Sequence, residues 1–299
     1  MTASIGFVGL GAMGDPMARR LAGAGHALVL LDADFPRAQA LATALGARAV
    51  ADAAALAAAT DTIITMLPTS AVVATVLEVA LPALRHGTLV IEMSSGSPSA
   101  TKALAARVAA AGGTLIDAPV SGGVPRARDG SLAIMAGGAA AAIDRAEPLL
   151  RAMGGSVTRT GEVGSAHAMK ALNNLVSAGG FLIGIEALLI GQRAGLDPAM
   201  MVDVLNASTG MNNSTQKKFR QFVLSRKFDA GFGLDLMVKD LSTALEVARD
   251  GATPAPFSAH CREMWAAAAA LLGPGRDHTE LARLSETMAG TELGGNKGA

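Results

Sequence analysis

Three groups of residues in this 299-residue chain have the types and spacing for chemistry. Lys170 and Asn174 stand four positions apart in a largely apolar run, so a helix would place them on one face. His167 lies three residues earlier on a nearby face, and Asn173 flanks the pair. Polar groups entering an apolar helix need partners. Burial and neighbouring positive charge lower an ammonium pKa, so such a lysine can take up a proton; as a cation it can polarise a carbonyl and return the proton. Lys170 is therefore a candidate general acid/base. Asn174 is a candidate amide for orienting that lysine or a substrate hydroxyl. A lysine near a helix start also commonly extends its charge to solvent, and the pattern alone leaves that alternative open.

The second group is Ser121-Gly122-Gly123, between Pro119 and Pro125 after a predicted strand. Two glycines let backbone N–H groups converge on a carboxylate, although an ordinary turn has the same composition. The third is Gly9-Leu10-Gly11-Ala12-Met13-Gly14, a G-x-G-x-x-G that follows a predicted strand and opens a predicted helix. In that context Gly9 permits the tight turn, Gly11 admits a pyrophosphate, and Gly14 lets helix and strand pack closely. The helix N-terminus adds N–H donors and a positive dipole. Asp32 follows Gly14 by 18 residues at the end of a strand, where a carboxylate accepts from adenosine ribose hydroxyls. It would repel a 2′-phosphate, and the next base, Arg37, is five positions further on, so NAD is favoured over NADP. Asp34 competes for the ribose role. An anion cradle, a proton acceptor and a nicotinamide site together suit oxidation of an alcohol beside a carboxylic acid.

These groups need elements to hold them. Short apolar runs at Ile5-Val8, Leu28-Leu31, Thr62-Met66, Thr88-Glu92, Thr114-Asp117, Leu132-Ala136 and Ser156-Thr158 read as strands buried on both faces of a parallel sheet. Ala/Leu-rich stretches such as Pro16-Ala24, Pro36-Leu45 and Pro98-Ala111 read as helices, with proline near each start. The alternation predicts a doubly wound α/β domain over residues 1–162. After about Thr160 the strand signal stops. Ser165-Ala194, Pro198-Asn206, Ser214-Leu224, Leu234-Arg249, Pro256-Leu272 and Thr279-Thr287 read as helices, giving an all-α domain over 163–299. Its first helix is apolar on most faces and needs cover, which predicts a homodimer or homotetramer. The tail Gly294-Ala299 is glycine-rich and expected to fray.

The opening run Gly9 to Ala18 resembles the signature of the β-hydroxyacid dehydrogenases, the 3-hydroxyisobutyrate dehydrogenase family. Met66-Leu67-Pro68, Asp117 to Gly123, Lys170 to Asn174 and Leu236 to Leu241 match that family in order, over nearly the whole chain. The resemblance implies a Rossmann domain, a helical domain of the 6-phosphogluconate dehydrogenase type begun by a long interdomain helix, and hydride transfer between NAD(P) and a small 3-hydroxy acid or its semialdehyde. It assigns Leu67 and Pro68 to the cofactor, and Ser95 also, although the family usually has threonine there. It assigns Ser121, Gly122 and Gly123 to the substrate carboxylate, Lys170 and Asn174 to catalysis, and Lys239 to the cofactor or substrate. By itself, Lys239 reads equally as a surface lysine paired with Asp240 or Asp235. The polar segment Ser208 to Lys218 suggests a hydroxylated acid read by Asn212, Asn213 and Ser214, or a helix cap centred on Ser214. A runner-up is an NADPH-dependent reductase of tartronate or succinate semialdehyde type. A non-catalytic NAD-binding sensor is the rival from another class.

Composition narrows the classes further. Lys plus Arg and Asp plus Glu are 25 each, and aromatics are 3%, which disfavours nucleic acid and anionic membrane as partners. One cysteine, Cys261, and five scattered His argue against a disulfide framework or a bound metal. The apolar stretch Leu175 to Gly191 is short for a membrane span and holds Glu186. The early strand leaves no room for a signal peptide, so a cytoplasmic protein is expected.

Overall fold

A computed structural model describes residues 4–294, which divide into two compact units between Lys170 and Ala171. The first unit alternates strand and helix: β1 (Ile5–Val8), α1 (Gly14–Gly23), β2 (Leu28–Leu31), α2 (Phe35–Leu45), β3 (Arg48–Ala49), α3 (Ala53–Ala59), β4 (Thr62–Thr65), α4 (Ser70–Ala80), β5 (Leu89–Glu92) and α5 (Pro98–Ala110). It continues through β6 (Thr114–Asp117), β7 (Val120–Ser121), α6 (Gly123–Asp129), β8 (Leu132–Gly137), α7 (Ala140–Met153) and β9 (Gly154–Gly161). The sheet runs β3-β2-β1-β4-β5-β6-β8-β7, with β9 on β8. It is parallel from β3 through β6, and β8 pairs antiparallel with β6 and β7. The 3-2-1-4-5-6 order is that of a Rossmann domain, with its switch point between β1 and β4.

Strands β1, β2, β4 and β5 are buried at every position because both faces are covered. Alternate residues feed two apolar layers. Phe7, Leu30, Ile64, Ile91 and Ile116 pack with Met17 and Leu21 of α1 and Ile143 and Leu150 of α7. Val8, Val29, Ile63, Val90 and Leu115 pack with Leu56 of α3, Leu77 of α4 and Val108 of α5. Each fully buried side chain of this size stabilises the fold by about 1.5–3 kcal/mol.

The second unit is helical. Helix α8 (Ser165–Arg193) is continuous across the division between the units. It is followed by α9 (Pro198–Asn206), α10 (Asn213–Lys217), α11 (Leu234–Asp250), α12 (Pro256–Leu272) and α13 (Leu281–Ala289). Phe181, Ile185 and Leu188 of α8 share a core with Leu241, Trp265 and Leu281. The expected helix Ser214-Leu224 is interrupted: α10 ends at Lys217 and a π-helical turn covers Phe219–Val223. The wider turn brings Phe219 fully into the core, edge-on to Phe181 with ring centroids 5.4 Å apart. With 29 residues, α8 is long and apolar enough to cross a membrane, contrary to the short span expected, and 56% of its apolar window is buried within the protein. Gly294 donates its N–H to Gln192 Oε1 at 2.9 Å, and the rest of the expected frayed tail lies outside the described residues.

Candidate functional site

The glycine loop lies at the switch point, between the C-terminal ends of β1 and β4. Gly9 has φ +91°, and a Cβ there would meet Met66 O at 2.3 Å. A Cβ on Gly14 would lie 1.8 Å from Gly9 O, so this position requires glycine for helix–strand packing. A Cβ on Gly11 would meet no atom within 4 Å, so the backbone there is open to an approaching ligand. Leu10 is buried, Gly11 and Ala12 are exposed, and Met13, at the N-cap of α1, makes no side-chain cap. An exposed helix N-terminus without a side-chain cap beside an open glycine fits a dinucleotide pyrophosphate.

Asp32 is tied to this loop. Leu10 N–H donates to its Oδ2 at 2.6 Å, and Asp34 N–H to its Oδ1 at 2.9 Å. Asp34 caps α2, accepting from Arg37 N–H at 3.2 Å. Arg37, five positions away in sequence, is adjacent in space: its guanidinium lies 3.4 Å from Asp32 and 3.2 Å from Asp34. Sequence distance therefore overstates how far a base stands from Asp32.

Leu67 N–H, just after β4, donates to Ser94 Oγ at 2.9 Å, and Pro68 beside it is exposed. Ser95 is partly buried in the segment that follows β5. Ser121 ends β7, paired with Ala133 of β8. Gly122 (φ +133°) and Gly123 (φ +69°) turn the chain into α6 in conformations that glycine alone adopts without strain. Pro125 is not in a loop, as expected from sequence, but in the first turn of α6.

A buried cluster joins these segments to α8. Asp117, at the end of β6, accepts from Gly164 N–H (2.7 Å) and His167 N–H (2.8 Å), capping the start of the long helix. His167 Nε2 lies 2.8 Å from Glu92 Oε2 and 2.9 Å from Ser94 O. Its Nδ1 lies 2.8 Å from Thr101 Oγ1, whose own proton goes to Ser97 O. With the Thr101 proton on Ser97 O, both ring nitrogens face acceptors, an arrangement that suits the doubly protonated imidazolium. Burial works against charge on either partner, but their mutual attraction and hydrogen bonds prevail: His167 is held above its ordinary value and Glu92 below the usual carboxylate range. Burial pushes Asp117 upward, despite His167 and the two N–H donors.

Three residues beyond His167, Lys170 is buried on α8, and Asn174 is buried one turn later. Asp240 of α11 accepts from Asn174 Nδ2 at 2.5 Å and pairs with Lys239 Nζ at 3.3 Å. A carboxylate only accepts, so Asn174 must present its NH2 to Asp240, which turns Oδ1 toward Asn173 Nδ2 at 3.1 Å. Asp240 is thus a buried link and not merely the surface partner expected of it. Its signal in sequence was its place on the apolar face of α11, with Leu234, Met237, Leu241 and Ala244. Glu92 and Asp117 carried a similar signal, each ending an otherwise apolar strand. In the polar segment, Asn212 and not Ser214 caps α10; its Oδ1 accepts from Ser214 and Thr215 N–H. Among the described residues, no group of three or more His, Cys, Asp or Glu is arranged to hold a metal.

A Rossmann sheet with an open glycine loop and a carboxylate at the second strand defines a nicotinamide-dinucleotide-binding protein. Residues 4–161 match the family of the NAD binding domain of 6-phosphogluconate dehydrogenase, and 164–285 match the NAD-binding domain of NADP-dependent 3-hydroxyisobutyrate dehydrogenase. The chain is 36% identical over 300 residues to 2-(hydroxymethyl)glutarate dehydrogenase of Eubacterium barkeri, covering 98% of both chains. It is 36% identical over 292 residues to 2-hydroxy-3-oxopropionate reductase of Escherichia coli, covering 97% of this chain and 99% of the relative. A solved 3-hydroxyisobutyrate dehydrogenase of Mycobacterium tuberculosis with L-serine superposes with a TM-score of 0.88 at 32% identity, covering 95% of this chain and 99% of the other. The protein belongs to the β-hydroxyacid dehydrogenase family of NAD(P)-dependent oxidoreductases.

Proposed function

We propose that this enzyme interconverts a small 3-hydroxy acid and its semialdehyde, prefers NAD, and uses Lys170 as general acid/base. The observation that carries this reading is the buried pair Lys170 and Asn174 on one face of α8, with the Asn174 amide fixed by Asp240. When bound, NAD(P) accepts or supplies the hydride. Neutral Lys170 takes the hydroxyl proton during oxidation, and its ammonium returns that proton during reduction. Asn174, held by Asp240, orients the substrate oxygen. Ser121 and the Gly122-Gly123 backbone receive the carboxylate. Gly9 to Gly14 and Asp32 hold the pyrophosphate and ribose, with Leu67, Pro68, Ser95 and Lys239 completing the cofactor contacts.

NADPH-dependent semialdehyde reduction is favoured by one observation: Arg37 lies against Asp32 and could meet a 2′-phosphate. A homodimer or homotetramer is supported by α8, where Met169, Val176, Ile183 and Ile190 recur every seven residues on an exposed stripe; Val176 is 77% exposed.

The test is nicotinamide absorbance with NAD or NADP against 3-hydroxyisobutyrate, D- and L-glycerate, L-threonate, 3-hydroxypropionate, 4-hydroxybutyrate and L-serine. Lys170→Ala should lose turnover and keep cofactor binding. Cofactor binding without turnover of any acid would instead favour the sensor reading.

A further inference from the structure

Lys170, Asn174, Ser177 and Phe181 follow one another at intervals of four, three and four residues, so they form a single stripe along α8. Lys218, in the break between α10 and the π-helical turn, reaches this stripe from the second unit's own core. Its Nζ lies 3.2 Å from Ser177 Oγ and 5.8 Å from the centroid of the Phe181 ring. Among the described residues no carboxylate forms an ion pair with it. Asp277 is the charged group that faces it, and that carboxylate is already engaged by Gly231, Phe232 and Thr279 N–H. Burial pushes the Lys218 ammonium down to about 8, against the attraction of Asp277, so it remains mostly protonated at neutral pH. This half-buried cation contacts a hydroxyl and an aromatic face, and its facing carboxylate, Asp277, is spent on backbone N–H groups, so a further anion would complete its neutralisation.

We propose that Lys218 receives a second anionic group of the substrate, so that the enzyme prefers hydroxy acids bearing an additional carboxylate a few carbons from the reacting carbinol. Ser177 lies about 4.5 Å of helix rise beyond Asn174, so a substrate held at Asn174 and extended along the stripe would bring its distal end to Lys218. A carboxylate there would form a charge-assisted hydrogen bond, which a distal methyl or hydroxyl group would not. This inference rests on the hydroxy-acid reading above.

The experiment compares kcat/KM for 2-(hydroxymethyl)succinate and 2-(hydroxymethyl)glutarate with that for 3-hydroxyisobutyrate and glycerate, in the wild type, Lys218→Gln and Lys218→Arg. The wild type should favour a dicarboxylate by about tenfold or more. Lys218→Gln should collapse that ratio, chiefly through KM, and Lys218→Arg should retain part of it. Glutarate titrated calorimetrically into wild-type protein at pH 8 should bind with proton uptake, a readout that needs no variant to fold. A wild-type preference for monocarboxylates, a ratio unmoved in Lys218→Gln, or glutarate binding without proton uptake would overturn the proposal while leaving the hydroxy-acid reading standing. Failure of the wild type to turn over any hydroxy acid would overturn both.

Discussion

His167 Nε2 lies 2.8 Å from Glu92 Oε2, and this buried pair connects the segments that carry the candidate site within the first unit. Glu92 also accepts from Ser94 N–H, Ser94 Oγ accepts from Leu67 N–H, and Asp117 binds the backbone of His167 and Gly164. The chain after β4, the chain after β5, the strand leading to Ser121 and the turn leading to Lys170 are therefore fixed relative to one another by one imidazolium.

Removing that imidazolium leaves two buried carboxylates without their cation. His167→Ala is expected to cost about 3–5 kcal/mol in urea unfolding, with His167→Gln between it and the wild type. The raised His167 contributes stability that is full below its ordinary 6.5 and is lost as pH rises through the higher folded value. The lowered Glu92 contributes stability that is full above its ordinary 4.5 and is lost as pH falls through the lower folded value. The difference between wild type and His167→Ala should thus be largest from about pH 4.5 to 6.5 and shrink on both sides. A difference that stays flat from pH 4 to 9 would contradict a charged pair.

The glycines of the phosphate loop should separate folding from binding. Gly14→Ala drives a methyl to 1.8 Å from Gly9 O, a backbone atom that cannot rotate away. It should lower stability by about 1–3 kcal/mol, the usual cost of overpacking. Gly11→Ala places its methyl in open space, so the melting temperature should hold while NAD titration weakens at least about tenfold. Equal loss of stability in both variants would count against a cofactor role for the open position.

Cofactor choice should turn on Asp32 and Arg37. The carboxylate repels a 2′-phosphate and also holds the nearest guanidinium at 3.4 Å. Asp32→Ser removes the repulsion and frees Arg37 at once. The ratio of kcat/KM for NADP over NAD should rise at least about tenfold, and Asp32→Ser/Arg37→Ala should lose most of that gain. A wild type that already favours NADP would overturn the NAD preference argued from Asp32.

How much of this was legible in the sequence depended on range. The long strands and the glycine loop announce themselves locally, through unbroken apolar runs and a fixed glycine spacing. Strands β3 and β7 did not, because two residues carry no periodicity and their pairing is decided by neighbours distant in the chain. Lys170 and Asn174 are legible because one helix sets their spacing. Asp240 is not, because its role comes from a partner 66 residues away. Arg37 was misjudged for a related reason, since helix α2 folds it back over the carboxylate five positions earlier. The break at Lys218 was hidden because a π-helical turn keeps helical composition while shifting which side chains point inward.

Asp240 supplies the last prediction. Its Oδ2 holds the Asn174 amide at 2.5 Å and its Oδ1 holds the Lys239 ammonium at 3.3 Å. Asp240→Ala removes the carboxylate that the Asn174 amide and the Lys239 ammonium share. Misplacing an orienting group by about 1 Å can cost about 100-fold in rate, so kcat should fall on that order. Because Asp240 is proposed to act through Asn174, the two losses should not multiply. Asn174→Ala/Asp240→Ala should be about as slow as Asn174→Ala alone, a coupling that a double-mutant cycle measures directly. If the two effects instead multiply, Asp240 contributes by a route independent of Asn174, and Lys239, its other partner, becomes the residue to examine.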